Sequence, residues 1–441
     1  MKRFPKSTCH LIINSDNSTL NSAAVHRIQH KLNLLHPNIF SLLQESEVKT
    51  LNGLEDLNIV QANTLDRYYL RPAKGFDSSL AVAVEPKMFI EEAMNAEGFN
   101  ESLKNLQSQI RENSVKIYNS DNKYPTVIFL GTGSSIPSKV RNVSAILVYI
   151  SANKYLLMDC GEGTQGQLVR LFGDTYSDVL RDIFCIFISH IHADHHLGLI
   201  HLLKCRAEAF KKLNREYEPL VLIGPSMLFY WLQNYHNMFE KVSSLYSFIK
   251  CSSLQPNEEV LCHAQELADS KNFENITLAT VLVDHCPDAY ALIMTHKTSK
   301  WKLVYSGDTM PCERLIAAGH DCSLLIHEAT MEDELADEAV MKKHSTTSQA
   351  IQVGKMMQSK YTLLTHFSQR YAKVPVFSEK FHSCIGCAFD NMRVTPNELY
   401  ILPLLIPSLK CLFAEDIEEQ QIKGHKRREK LKLIKSVLAQ E

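Results

Sequence analysis

The sequence predicts a layered α/β fold. Three observations carry that expectation. From Tyr124 onward, short β-type runs punctuated by Gly, Pro and Asn alternate with stretches of helical periodicity. One run, Ile183-Phe-Cys-Ile-Phe-Ile188, is continuously apolar, as in a strand buried on both faces. It feeds directly into a turn crowded with histidine, Ser189-His-Ile-His-Ala-Asp-His-His196.

The elements follow in order. Strands are expected over 127–130, 145–150, 155–158 and 183–188, then a helix over 197–212. Further strands are expected over 276–283, 289–294, 302–305, 323–326 and 362–364, with helices over 311–318, 332–341 and 345–357. Residues 100–123 are rich in Asn, Ser, Gln and Lys and read as a polar linker, part of it helical. Residues 1–99 have modest apolar content and no chemical motif, so they read as part of a domain. The unit with dense patterning runs over 124–414. The tail, 415–441, mixes acidic residues with Lys423, Lys426, Arg427, Arg428, Lys430 and Lys432, the composition of a solvated terminal helix. No internal repeat is visible.

Bulk composition bounds the function. The 441 residues are 45% hydrophobic and 22% charged, as in a globular protein. No apolar run reaches the ~18 residues of a membrane span, and the opening Met-Lys-Arg-Phe-Pro lacks a secretory core, so an intracellular location is expected. The 12 cysteines are too dispersed for a disulfide scaffold. The single Cys-x-x-Cys, Cys384 and Cys387, has no second pair to complete a tetrahedral zinc site. A formal net charge of −2 gives no long-range attraction to nucleic acid.

The chemistry concentrates after the buried strand. His190, His192, Asp194 and His195 can turn toward one point at that strand's C-terminal edge, and neutral imidazole with carboxylate is a donor set that borderline Zn²⁺ prefers. A surface histidine cluster would not naturally take this spacing on a strand-to-helix turn. Further donors recur at the ends of later strands: His285, Asp308 in Tyr305-Ser-Gly-Asp-Thr309, and His366 in Thr365-His-Phe367. Singly each reads as structural; together they point to a two-metal site.

His-x-His-x-Asp-His followed by distal His, Asp and His resembles the signature of the metallo-β-lactamase superfamily. The resemblance implies an αβ/βα sandwich and two Zn²⁺ per catalytic domain. It assigns His190, His192 and His285 to the first ion, Asp194, His195 and His366 to the second, and Asp308 to the bridge. Within the superfamily, Phe129-Leu-Gly-Thr-Gly-Ser-Ser135, Pro137-Ser-Lys-Val-Arg-Asn142, His327-Glu-Ala-Thr330, His344-Ser-Thr346 and His366-Phe-Ser-Gln-Arg-Tyr-Ala-Lys373 resemble tRNase Z, eukaryotic long form. That resemblance implies a zinc-dependent endoribonuclease that removes the 3′ trailer from precursor tRNA and leaves a tRNA 3′-hydroxyl. It casts Asp194 as ligand and general base, His344 oriented by Glu328 as proton donor, and Lys139, Arg141 and Asn142 as contacts to the acceptor end.

It also implies that 1–99 is the remnant of a degenerate N-terminal half. The Gly/Pro-rich arm that grips tRNA in short forms has no counterpart between His196 and His285. The expected partners are therefore precursor tRNA and an arm-bearing N-terminal half in trans, or a second copy, with no membrane. The expected compartment is nucleus or cytosol for this chain, and mitochondrion and nucleus for full-length members. The alternatives are another hydrolase of this fold (a thioesterase or small phosphodiesterase), which lacks the Pro-Ser-Lys-Val-Arg-Asn and His-Ser-Thr boxes, and a non-catalytic truncated remnant.

Overall fold

The computed structural model describes residues 4–5, 7–12, 23–44, 57–62, 65–80, 84–117, 123–255, 273–369, 381 and 384–438. Two small ribbons come first: β1 (Cys9–Ile12) beside β2 (Asn58–Gln61), and β3 (Arg67–Tyr69) against β4 (Gly75–Asp77). The main sheets begin at β5 (Thr126–Gly131), β6 (Ala145–Ser151) and β7 (Lys154–Met158), followed by β8 (Ile183–Phe187), β9 (Leu220–Gly224) and β10 (Tyr246–Lys250). With β17 (Met392–Val394) they form a seven-stranded sheet ordered β10-β9-β8-β7-β6-β5-β17. The second sheet has six strands in chain order: β11 (Ile276–Leu282), β12 (Tyr290–His296), β13 (Lys302–Tyr305), β14 (Leu324–Glu328), β15 (Thr362–Thr365) and β16 (Ile385–Cys387).

Side-chain alternation stacks these sheets. Along β5, Val127 and Phe129 face the second sheet, packing in one cluster with Leu292, Met294, Leu303 and Ile326. Their neighbours Ile128 and Leu130 face outward, clustered with Leu199, Leu202 and Leu203 of the Leu199–Lys212 helix. On the far side Ala291, Ile293, Val304 and Leu325 pack under Leu315 and Val353 of the Glu313–Gly319 and Thr347–Met356 helices. The layers run helix, sheet, sheet, helix: the metallo-β-lactamase αβ/βα sandwich. β8 lies between β7 and β9, parallel to both, and all five of its residues are buried, hence its unbroken apolar run.

The expected strands are present with ends shifted by a residue or two. The segment expected as a part-helical linker over 100–123 is helical over Phe99–Ile117 and packs on the sandwich. Phe99, Leu103, Leu106 and Ile110 recur at helical spacing and pack into the inter-sheet cluster with Leu405 and Leu409, so a mostly polar sequence still carries a buried stripe. Leu32, Leu35, Ile39 and Phe40 enter the same cluster. The tail is a helix over Ala414–Leu438, with the side chains of Arg427, Arg428, Lys430 and Lys432 outside the described residues, as are residues 370–373 of the His366 stretch. No described helix is long and apolar enough to cross a membrane.

Candidate metal centre

Strands of both sheets deliver polar residues at one edge of the sandwich. His190 and His192 follow β8, Asp159 follows β7, His285 follows β11, Asp308 follows β13, Glu328 ends β14 and His366 follows β15. Parallel strands leave their C-terminal ends at a common crevice, which is where such sheets gather ligands. Two glycines let the histidine turn sit close enough. A Cβ at Gly161 would lie 2.3 Å from the Asp194 carbonyl oxygen, and one at Gly198 would lie 2.2 Å from the Gly161 carbonyl oxygen.

The donors fall into two triads. His192 Nδ1 lies 3.0 Å from His190 Nε2 and 3.1 Å from His285 Nε2. His366 Nε2 lies 3.2 Å from His195 Nε2 and 3.3 Å from Asp194 Oδ2. Asp308 stands between the triads, its Oδ2 3.4 Å from His195 Nε2, 3.7 Å from His190 Nε2 and 3.8 Å from His285 Nε2. These acceptor atoms outnumber the ring N–H groups that could serve them, and buried Asp308 Oδ1 accepts no hydrogen bond. Divalent cations satisfy such a cradle, and five imidazoles with two carboxylates suit zinc. Burial lowers the His195 imidazole pKa, yet Asp308, Asp194 and Asp159 together hold it well above the usual value, a field that also favours a cation. Cys286 Sγ lies with the His190, His192 and His285 donors within 4.8 Å, and burial pushes its thiol pKa up.

Around this centre the other ring nitrogens are fixed from behind. His195 Nδ1 lies 2.7 Å from Asp159 Oδ2, His285 Nδ1 2.9 Å from the Lys343 carbonyl oxygen, and His366 Nδ1 2.8 Å from Thr330 Oγ1. The Ser135 N–H donates to Asp194 Oδ2 at 2.6 Å. His366 itself holds a left-handed backbone (φ 60°), a costly conformation for a residue with a Cβ.

A second pair lies beside the triads. His344 Nδ1 donates to Glu328 Oε1 at 2.8 Å, and Glu328 also accepts from the Thr309 and Thr330 N–H groups at 2.9 and 3.0 Å. Burial opposes charge on His344, but the Glu328 carboxylate raises its pKa to about 9. The next two residues hold the loop: Ser345 Oγ donates to the Thr309 carbonyl oxygen at 2.7 Å, and Thr346 caps the Thr347–Met356 helix in a capping box with Gln349. His192 is exposed and His344 half-buried, so the site opens on this side.

With that geometry in view, comparison with known proteins decides the family. A family model described as Anti-Pycsar protein Apyc1 matches residues 125–383. The chain is 44% identical over 422 residues to the human zinc phosphodiesterase ELAC protein 2, covering 95% of this chain and 51% of that protein. It is 39% identical over 456 residues to Ribonuclease Z, mitochondrial, of Drosophila melanogaster, covering 97% and 58%. The crystal structure of a long form RNase Z from yeast superposes with a TM-score of 0.72 at 24% identity, covering 92% of this chain and 64% of that one. The chain belongs to the family of that model, and it is similar to these zinc phosphodiesterase and ribonuclease Z proteins. It spans about half the length of the curated relatives it matches first.

In this chain all seven expected metal donors come together, and so do His344 and Glu328. The loop residues separate. Lys139 is exposed at the tip of a turn. Arg141 faces inward, 6% exposed, with its guanidinium 4.8 Å from the Phe367 ring centre and 5.2 Å from that of Phe389. Asn142 acts through its backbone, donating to Asp390 and accepting from Thr132 and Gly133. Sequence reasoning missed Asp159, whose carboxylate accepts from Ser189 N–H, Ser189 Oγ, Tyr305 OH and His195 Nδ1. The signal was its place in Met158-Asp-Cys-Gly161, directly after a buried strand.

Proposed function

We propose that this chain is a zinc-dependent endoribonuclease that cuts the 3′ trailer from precursor tRNA and leaves a tRNA 3′-hydroxyl. One observation carries the reading: two donor triads share Asp308, with the His344–Glu328 pair on their open side. His190, His192 and His285 would hold one zinc ion, and Asp194, His195 and His366 the other, with Asp308 between. When bound, such a pair supplies a nucleophilic water at neutral pH and clamps both oxygens of an in-line displacement.

This chain's residues do the rest. Asp194, fixed by the Ser135 N–H, orients and accepts a proton from the attacking water. The bond between tRNA and trailer breaks at the 3′-oxygen, which needs a proton as it leaves. His344 supplies it, and Glu328 keeps that imidazole charged beforehand. Lys139, exposed on its turn, contacts a phosphate of the acceptor end. We take the catalytic unit to be 124–414, against which the Phe99–Ile117 helix and residues of 23–44 pack. Precursor tRNA is the proposed partner, with an arm-bearing half in trans, or a second copy, supplying further grip.

The test is cleavage of a 3′-extended tRNA by the purified chain, alone and with an N-terminal half from a relative. The expected product ends in a 3′-hydroxyl after the discriminator base, is lost with a chelator and returns with zinc. Hydrolysis of a thioester, with no RNA product under any of these conditions, would sink the reading.

A further inference from the structure

The loop that carries Lys139 is tied at both ends. At its start the Ser135 N–H bonds Asp194 in the metal centre. At its tip a tight turn closes: the Ser138 N–H donates to the Arg141 carbonyl oxygen at 2.8 Å, and the Arg141 N–H donates to Ser138 Oγ at 3.0 Å. That turn leaves Lys139 outside and sends Arg141 inside.

Within the protein the far end meets Asp390. Its Oδ2 accepts from the Asn142 N–H at 2.6 Å and from Gln167 Nε2 at 2.9 Å. Its Oδ1 accepts from Thr132 Oγ1 at 2.6 Å. The same Thr132 hydroxyl accepts from Arg141 Nη1 at 2.5 Å, and Arg141 Nη1 also donates to the Ala388 carbonyl oxygen at 3.0 Å. Val25, Ile28 and Gln29 cover this cluster from the N-terminal side, and Asp390 is 8% exposed. Hydrogen bonds to a carboxylate removed from water are strong and directional, so the network has little freedom to shift. Arg141 also lies against Phe367, the residue after the donor His366. One buried cluster thus sets the loop relative to both Asp194 and His366.

We propose that Asp390 and Arg141 are a positioning pair that presents Lys139 to the phosphate of the substrate. Neither touches the substrate. The inference rests on Lys139 being the phosphate contact, and a double-mutant cycle separates the two ideas. The variants are Lys139→Ala, Asp390→Asn and both together, assayed on a 3′-extended tRNA with the zinc-loaded full chain. In Asp390→Asn one face becomes an NH₂: it either meets the Asn142 N–H, donor against donor, or turns to Thr132 Oγ1, which already accepts from Arg141. Losing a charge-assisted bond of this kind should raise KM on the order of 10-fold, more than it lowers kcat.

The double variant should bind no worse than Lys139→Ala, since a displaced loop weakens substrate binding only through its lysine. Additive KM effects would overturn the positioning role while leaving Lys139 as a contact. No effect of Lys139→Ala would overturn both. Loss of zinc in Asp390→Asn would show that the cluster serves the metals and not the loop, and would also overturn it. If Asp390→Asn does not fold, Thr132→Val removes only the hydroxyl shared by the pair and closes the same cycle.

Discussion

Asp159→Asn is the sharpest test of how the metal centre is held. Asp159 is fully buried and accepts four hydrogen bonds. Two donors, Tyr305 OH at 2.6 Å and His195 Nδ1 at 2.7 Å, converge on Oδ2 with Ser189 Oγ, while Oδ1 takes the Ser189 N–H. Asparagine can keep one of its two faces. If its oxygen stays with the backbone N–H, an NH₂ group confronts Tyr305 and His195. The tyrosine hydroxyl can rotate. The imidazole can accept from the amide only by moving its proton to Nε2, the atom that faces His366 and Asp308. A protonated Nε2 cannot ligate. Losing such a support costs zinc affinity about 10–100-fold, or about 1.4–2.8 kcal/mol. Titrating apo-protein with zinc against a chromophoric chelator measures it directly. The same affinity in variant and wild type would refute the idea that Asp159 sets the His195 tautomer.

Other expectations follow from the same geometry. His344→Ala should keep its zinc but lose turnover on precursor tRNA by ~10²–10⁴-fold, the usual worth of a positioned acid; loss of zinc would instead make His344 part of the metal's support. Asp308→Ala should bind fewer zinc ions per chain by elemental analysis, because two cations would lose the anion between them, and full occupancy would remove Asp308 from the bridge. Burial raises the Asp390 carboxyl to about 6 against the pull of Asn142, Thr132 and Arg141. An unfolded aspartate titrates near ~3.9, so between ~4 and ~6 the folded state binds the extra proton and stability falls as pH rises. Urea unfolding should therefore show wild type losing roughly 2–3 kcal/mol relative to Asp390→Asn across that window; a difference of the opposite sign would contradict it. With a net charge of −2 and no Gly/Pro-rich arm between His196 and His285, the chain alone should bind precursor tRNA weakly and with a shallow salt slope in filter binding. Tight, steeply salt-dependent binding would point to another basic grip.

The sequence by itself determined the sandwich and its candidate metal donors. Strand period, buried-strand composition and a histidine turn are local signals, and local signals survive in one dimension. His190, His192, Asp194 and His195 lie on one turn, and His285, Asp308 and His366 each end a strand, so a parallel arrangement was enough to gather them. Only the tertiary structure decided what each lone polar residue does. Asp159 looks like any turn aspartate until Tyr305, 146 residues away, and His195, 36 away, close on it. Arg141 reads as a solvated loop cation beside Lys139, yet Phe367, Phe389 and the Asp390 cluster draw it inward while Lys139 stays outside. The polar stretch after Phe99 reads as a part-helical linker, because one apolar residue in three or four does not reveal the surface that the helix packs on. In each case the deciding partner is distant in sequence, and a buried polar or weakly apolar residue takes its role from the partner that satisfies it.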